Sequence, residues 1–172
     1  MWSFGRGRER QRCTAVLRSL EIDELRDLDR LRARIERQRG RRLHLTAVEI
    51  GPLPCGMWVS APSGDYVFYA AGTSGLHQRH IVVHEFAHML LGHVGAALNA
   101  DSADALCDRV SGDTVIRMLS RAAYTSSAER EAELLATMIL QAPWRPGAEI
   151  TEADHAVRRL SAGMGDAGTA ST

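Results

Sequence analysis

The chain has 172 residues, 45% of them apolar, and carries 21 basic and 21 acidic residues. That length suits one compact domain with frayed ends, and the apolar fraction is enough for an ordinary core. No apolar run approaches the roughly 18 residues of a membrane span. Residues 1–12 are dense in arginine and lack the apolar stretch of a secretory leader, so the expected compartment is the cytoplasm. Cys13, Cys55 and Cys107 are odd in number and far apart, which argues against a disulfide framework and against a thiolate zinc site; three reduced, half-buried thiols are expected. Every basic residue is arginine, and residues 1–42 carry 13 of them against 7 acidic residues. A basic arm of this kind can meet nucleic acid or an acidic partner, but acidic residues interrupt it, and the solvated face of a helix is the preferred reading.

In chain order, residues 10–39 place Val16, Leu17, Leu20, Leu25, Leu28, Leu31 and Ile35 at mostly three- and four-residue steps, which predicts helix. Asp27 or Asp29 is positioned to cap a second helix, and Gly40 to stop it. Three short strands are expected at residues 43–49, 57–60 and 66–70. The last two should form a hairpin across the turn signal Pro62-Ser63-Gly64-Asp65. Strand 66–70 is expected at the sheet edge beside the cleft, where a peptide can add as a further strand. Ser74 can cap a helix running to about Gly92. Further helices are expected near 102–110, 113–121 and 126–141, then a short one from Thr151, with a disordered tail after Leu160. Helix, small sheet, then helices reads as α+β.

The chemistry sits in His84-Glu85-Phe86-Ala87-His88, an HExxH sequence. Residues four apart share one helix face, so both imidazoles can reach one ion. Neutral histidine suits Zn²⁺, which in catalytic sites takes three protein ligands and a water. Glu85, one residue past the first ligand, can reach that water without occupying the metal and take its proton once the ion has lowered its pKa to near 7. The alternative is an amphipathic helix with two histidines four apart by chance. The flanks Ile81-Val82-Val83 and Met89-Leu90-Leu91 mark a buried helix, where two histidines and a glutamate would be costly without a partner.

A third ligand must come from elsewhere. The HExxHxxGxxH pattern fails by spacing, because its glycine and histidine offsets fall on Leu91 and Val94. His93 lies five residues past His88, about 140° around a helix, and is expected to face away from the metal and to hydrogen-bond near the helix C-terminus. The segment 128–136 offers Glu129, Glu131 and Glu133. Glu129 and Glu133 share a face with Ala132 and Ala136, whose small side chains would let this helix approach the metal helix closely. Glu129 is the chosen ligand, with Glu133 accepting a hydrogen bond from a ligand histidine. Glu131 projects to the far side. Ser126-x-x-Glu129 also matches a capping box, which would give Glu129 a different role. His80 continues the stripe of His84 and His88 and is read as pocket lining, although a ligand or substrate contact stays open. Tyr124 is either an ordinary packed tyrosine or a donor to an oxyanion.

With these residues in place, the chain resembles the ImmA/IrrE-type metallopeptidases. The resemblance rests on His84-Glu85-Phe86-Ala87-His88-Met89-Leu90-Leu91-Gly92-His93 and on Glu129-Arg130-Glu131-Ala132-Glu133-Leu134-Leu135-Ala136, and spans roughly residues 28 to 140. A short bacterial subgroup, often labelled as toxin–antitoxin regulator or toxin components, is similar also around Cys55-Gly56-Met57-Trp58, Asp65-Tyr66-Val67-Phe68-Tyr69 and Leu76-His77-Gln78. The resemblance implies a minimal zincin fold, zinc held by His84, His88 and Glu129, and an intracellular protein substrate, with helix-turn-helix repressors as frequent targets. Glu133 stands where the family has Asn or Asp, and Leu135 where it has Phe.

Together these features predict an α+β, minimal zincin-like metallopeptidase domain over residues 1–160, with a small antiparallel or mixed sheet packed with helices, a basic helical arm at 1–42 and a disordered tail at 161–172. The expected activity is zinc-dependent hydrolysis of a peptide bond in a regulatory protein, a helix-turn-helix repressor or an antitoxin. The rival is a zinc-containing toxin–antitoxin or anti-repressor binding module without turnover. Direct nucleic-acid binding ranks below both, because the basic arm lacks interleaved aromatic residues. A membrane partner is not expected.

Overall fold

The computed structural model describes residues 3–49, 56–97 and 124–142. Cys55, Cys107, the helices expected near 102–110, 113–121 and Thr151, and the tail 161–172 lie outside the described residues.

The N-terminal region forms three helices rather than two: α1 (Ser3–Ser19), α2 (Ile22–Leu25) and α3 (Leu28–Arg39). The additional break precedes Glu21, whose N–H donates to the Glu24 carboxylate at 2.9 Å. Glu24 is buried and held on its other oxygen by Arg37, also at 2.9 Å. Asp27, not Asp29, caps α3 by accepting the N–H groups of Asp29 and Arg30 at 3.0 and 3.2 Å. Gly40 ends α3 in the left-handed conformation, φ 65°, which costs a glycine nothing. From this region Cys13, Leu20, Leu28, Leu31 and Ile35 belong to the main hydrophobic core. Cys13 is a free thiol, fully buried rather than half-buried.

The sheet contains β1 (Leu43–Val48), β2 (Gly56–Ala61), β3 (Gly64–Ala70) and the two-residue β4 (Ala96–Ala97), in the order β1-β3-β2-β4. β1 runs parallel to β3 from Leu43↔Asp65 to Val48↔Ala70, and β2 and β3 form the expected antiparallel hairpin. β3 is therefore internal, not at the edge as its sequence was read. The physical reason is its burial on both faces: Val67, Phe68, Tyr69 and Ala70 are all buried, a continuous apolar run that belongs between two neighbours. Among the described residues β1 has no partner strand on its outer side, and on the other side of the sheet β4 meets β2 only at Val59 and Ser60.

α4 (Gly75–Leu90) packs against the sheet, α3 and α5 (Ser126–Leu140), and α1 packs against α5. Ser74 caps α4 by accepting the His77 N–H. Ala132 and Ala136 are completely buried on α5 and allow its close approach to α4. The result is an α+β fold with a mixed sheet. Among the described residues no helix is long and apolar enough to cross a membrane.

Candidate metal centre

α4 is buried on most sides, and its four-residue step brings His84 and His88 together with their Nε2 atoms 3.1 Å apart. From the first turn of α5, Glu129 places Oε2 3.3 Å from His84 Nε2 and Oε1 3.7 Å from His88 Nε2. These three residues form a group able to hold a metal ion. Metal–ligand bonds of 2.0–2.2 Å at the tetrahedral angle put neighbouring donor atoms about 3.3 Å apart, and the observed separations bracket that value.

What lies behind the two rings makes the fit specific. His84 Nδ1 is 3.3 Å from Glu133 Oε2, which also lies 3.4 Å from His80 Nε2. His88 Nδ1 is 2.9 Å from His93 Nδ1. Each Nδ1 faces a protein partner, and both Nε2 atoms face the Glu129 carboxylate. Three such atoms converging on one point need a cation or a shared proton among them. His88 is wholly buried, and burial, then the charges of His84 and His93, push its pKa down to about 3. It is neutral at ordinary pH, as a ligand must be.

Glu129 is free for this role because it does not cap its helix. Thr125 does so, its hydroxyl accepting the Ala128 N–H at 3.2 Å, which removes the capping-box alternative based on Ser126. Glu133 is positioned between His84 and His80, and the glutamate that replaces the shorter residue of the resembled motif spans the distance to His84.

Glu85 is buried on the same helix as His84 and His88. One contact is with the backbone N–H of Trp58, while Oε2 has no partner. Burial first, and the charge of Glu129 second, raise its pKa to about 8 against the lowering effect of the Trp58 N–H. The sheet can come this close only because residue 56 is glycine: a Cβ there would stand 2.3 Å from Ile81 Cγ2 and 3.3 Å from Glu85 Oε1. Tyr124 stacks on the His88 ring with centroids 3.7 Å apart and planes 18° apart. Its hydroxyl is buried without a partner, and burial together with the charges of Glu85 and Glu129 raises its pKa, so it remains a protonated donor.

His93 stays out of the metal group and hydrogen-bonds near the end of α4, behind the His88 ring. The helical angle does not apply to it, because α4 ends before it. His93 N–H bonds the His88 carbonyl at 3.0 Å, Gly92 N–H bonds the Met89 carbonyl at 3.2 Å, and Gly92 has φ 72°. This Schellman turn swings His93 back against His88. Glu131 does project away from Glu129, but it is buried and engaged, meeting His93 Nε2 at 3.1 Å and Arg12 at 2.7 Å. Neither His93, Glu131 nor Arg12 was assigned to the site from sequence. The available signal was the Leu91-Gly92-His93 sequence, a helix stop followed at once by a ring.

No family model matches the chain, and neither a curated protein nor a solved structure matches it. The fold and the site thus stand on their own geometry: an α+β protein whose HExxH helix and a following helix bring together two histidines and a glutamate able to hold a metal ion.

Proposed function

We propose that the chain is a zinc-dependent endopeptidase of the ImmA/IrrE type, a minimal zincin-like domain that hydrolyses a peptide bond in a cytoplasmic regulatory protein, a helix-turn-helix repressor or an antitoxin. The observation that carries this reading is the placement of a buried, half-partnered carboxylate, Glu85, on the same helix as His84 and His88 and within electrostatic reach of Glu129. A site built only to store a metal would have no use for it. Two imidazole nitrogens and a carboxylate oxygen are the donor set of many catalytic zinc sites.

A zinc ion held by His84, His88 and Glu129 would supply Lewis acidity, lowering the pKa of a water toward neutrality and polarising the scissile carbonyl. Glu85 accepts the proton from the attacking water as the new C–O bond forms. It then returns that proton to the amide nitrogen as the C–N bond breaks, which leaves a carboxyl and an amine. Burial raises the Glu85 pKa in the metal-free chain, and the charge of a bound cation would lower it again, toward the range in which one carboxyl both takes and returns a proton. Tyr124, with its buried hydroxyl and its ring stacked on His88, would donate to the developing oxyanion. Glu133 and His93 hold the ligand rings from behind. An extended substrate would run along the Gly56–Trp58 part of β2, which β4 leaves unpaired and where Glu85 meets the Trp58 N–H, and not along β3, which is paired on both sides along most of its length.

The test is incubation of the purified protein with candidate helix-turn-helix regulators and antitoxins, with and without a zinc chelator. Chelator-sensitive cleavage at a defined bond supports the reading. A protein that holds no metal after purification and takes none up from added zinc refutes it.

A further inference from the structure

The chain of contacts behind His88 is longer than that behind His84, and it reaches the N-terminal helix. His88 Nδ1 meets His93 Nδ1 at 2.9 Å, and His93 Nε2 meets Glu131 Oε2 at 3.1 Å. Arg12 Nη1 donates to both Glu131 oxygens at 3.0 and 2.7 Å. Its Nη2 donates to the carbonyl of Leu91, the residue that closes α4, at 3.0 Å. The forked guanidinium thus ties α1, the end of α4 and α5 together in a way a lysine ammonium would not.

Only one arrangement of protons satisfies this chain when both histidines are neutral. A carboxylate paired with arginine accepts and does not donate. His93 Nε2 must therefore carry the hydrogen it gives to Glu131. A neutral imidazole has one N–H, so His93 Nδ1 is an acceptor. His88 Nδ1 must then be the donor, and His88 Nε2 is left bare, facing His84 and Glu129. We infer that Glu131, acting through His93 and held in place by Arg12, is a positioning residue that fixes the His88 ring as its Nδ1–H tautomer and so presents Nε2 as a metal ligand. This rests on the metal-binding reading above and adds to it a role for three residues that touch neither metal nor substrate. Partners behind ligand histidines typically change metal affinity about 10–100-fold.

The experiment uses the full chain and two measurements. Long-range ¹H–¹⁵N correlation of the histidine rings in the metal-free protein reads the tautomer. Competition between the protein and a chromophoric chelator for cobalt(II) reads the affinity. In the wild type, His88 should be protonated on Nδ1. His93→Phe keeps a ring but removes both contacts, and Glu131→Leu cuts the chain one step further out; each should lose the tautomer preference and bind cobalt about 10–100-fold more weakly. Glu131→Gln retains an oxygen acceptor for His93 and should keep the tautomer, with affinity within about tenfold of wild type. A merely structural role would lower the melting temperature of these variants and leave tautomer and affinity unchanged, which overturns the inference. So does a wild-type His88 protonated on Nε2. If His93→Phe does not fold, equal tautomers and equal affinities for Glu131→Leu and Glu131→Gln overturn it. A wild type that binds no cobalt and no zinc refutes the metal reading instead, while the ring assignments still decide the proton chain.

Discussion

Replacing Glu129 by alanine separates a metal ligand from a helix cap. Glu129 lies in the first turn of α5, where acidic residues commonly serve a helix terminus. Here the cap is Thr125, and the Glu129 carboxylate is turned toward His84 and His88 at 3.3 and 3.7 Å. Four-ligand zinc sites bind with about 10–16 kcal/mol, or roughly 2.5–4 kcal/mol per ligand. Loss of Glu129 should then weaken zinc binding by about 10²–10³-fold, at 1.4 kcal/mol per factor of ten. Its side chain is 46% exposed, and no helix cap depends on it, so the metal-free protein should keep its stability within about 0.5 kcal/mol. Thr125→Ala should do the opposite. It removes a cap worth about 1 kcal/mol, lowers the melting temperature of the metal-free protein by about 2–4 °C, and leaves zinc affinity near wild type. The assays are chelator competition for zinc and thermal unfolding in the presence of excess chelator. A Glu129→Ala protein that melts early and binds zinc normally would show that Glu129 serves the helix and not the ion.

Two further predictions concern the scaffold. Asp65 is buried at 1% exposure, bonded to Arg39 at 2.6 Å and to Trp58 Nε1 at 3.4 Å, with the Arg39 guanidinium stacked 4.6 Å from the Trp58 ring. Burial raises its pKa, but the bonds from Arg39, Ser60 and Trp58 outweigh burial and leave it lowered. A depressed carboxyl contributes stability that is present above its unfolded pKa of about 3.9 and is lost as pH falls below that toward the folded value. Melting curves of the wild type should therefore drop below about pH 4 more steeply than those of Asp65→Asn, and Asp65→Ala should lose roughly 3–5 kcal/mol at neutral pH by leaving Arg39 unpaired; equal pH slopes for wild type and Asp65→Asn would contradict this. Gly56→Ala should cost about 1–3 kcal/mol, because its methyl would overlap the stiff Ile81 side chain. Ile81→Ala in the same chain should recover part of the loss measured by denaturant titration, and purely additive losses would refute the proposed overlap.

The metal group was legible in the sequence because its geometry is local. His84 and His88 are bound to one face by the helical repeat, and Ser74, Asp27 and Gly40 act through backbone groups only a few residues away. Glu129 was legible for a related reason, since Ala132 and Ala136 mark the face of α5 that meets α4. The failures arose where a local rule was carried past its range. For His93 the helical angle does not apply, because the helix has already ended at Leu91 and Gly92, although the ring does hydrogen-bond near the helix end as its sequence position suggests. Glu131 was judged by its angle from Glu129 alone, although the opposite side of α5 is covered by α1, whose Arg12 and Cys13 both contact it. Strand β3 was assigned to an edge on its aromatic and β-branched character, when its unbroken burial from Val67 to Ala70 was the better guide to two neighbours. The break at Glu21 turned on Arg37, thirteen residues away from Glu24, and no periodicity reports such a contact.

The central claim, that the site cuts a peptide bond and does not merely hold a metal, is tested most directly by Glu85→Gln. Glutamine keeps the shape of the buried side chain and can still accept the Trp58 N–H, but it cannot take a proton from the attacking water. His84, His88 and Glu129 are untouched. The paired measurement is zinc per chain and the rate of cleavage of the partner regulator, with partner-dependent transcription as the readout where cleavage products are too short-lived to follow. The account predicts unchanged zinc content and a cleavage rate lower by roughly 10²–10⁴-fold, the usual contribution of a general base. A Glu85→Gln protein that binds zinc and still switches the partner's activity in full would contradict it, and would leave a metal-holding binding module in its place.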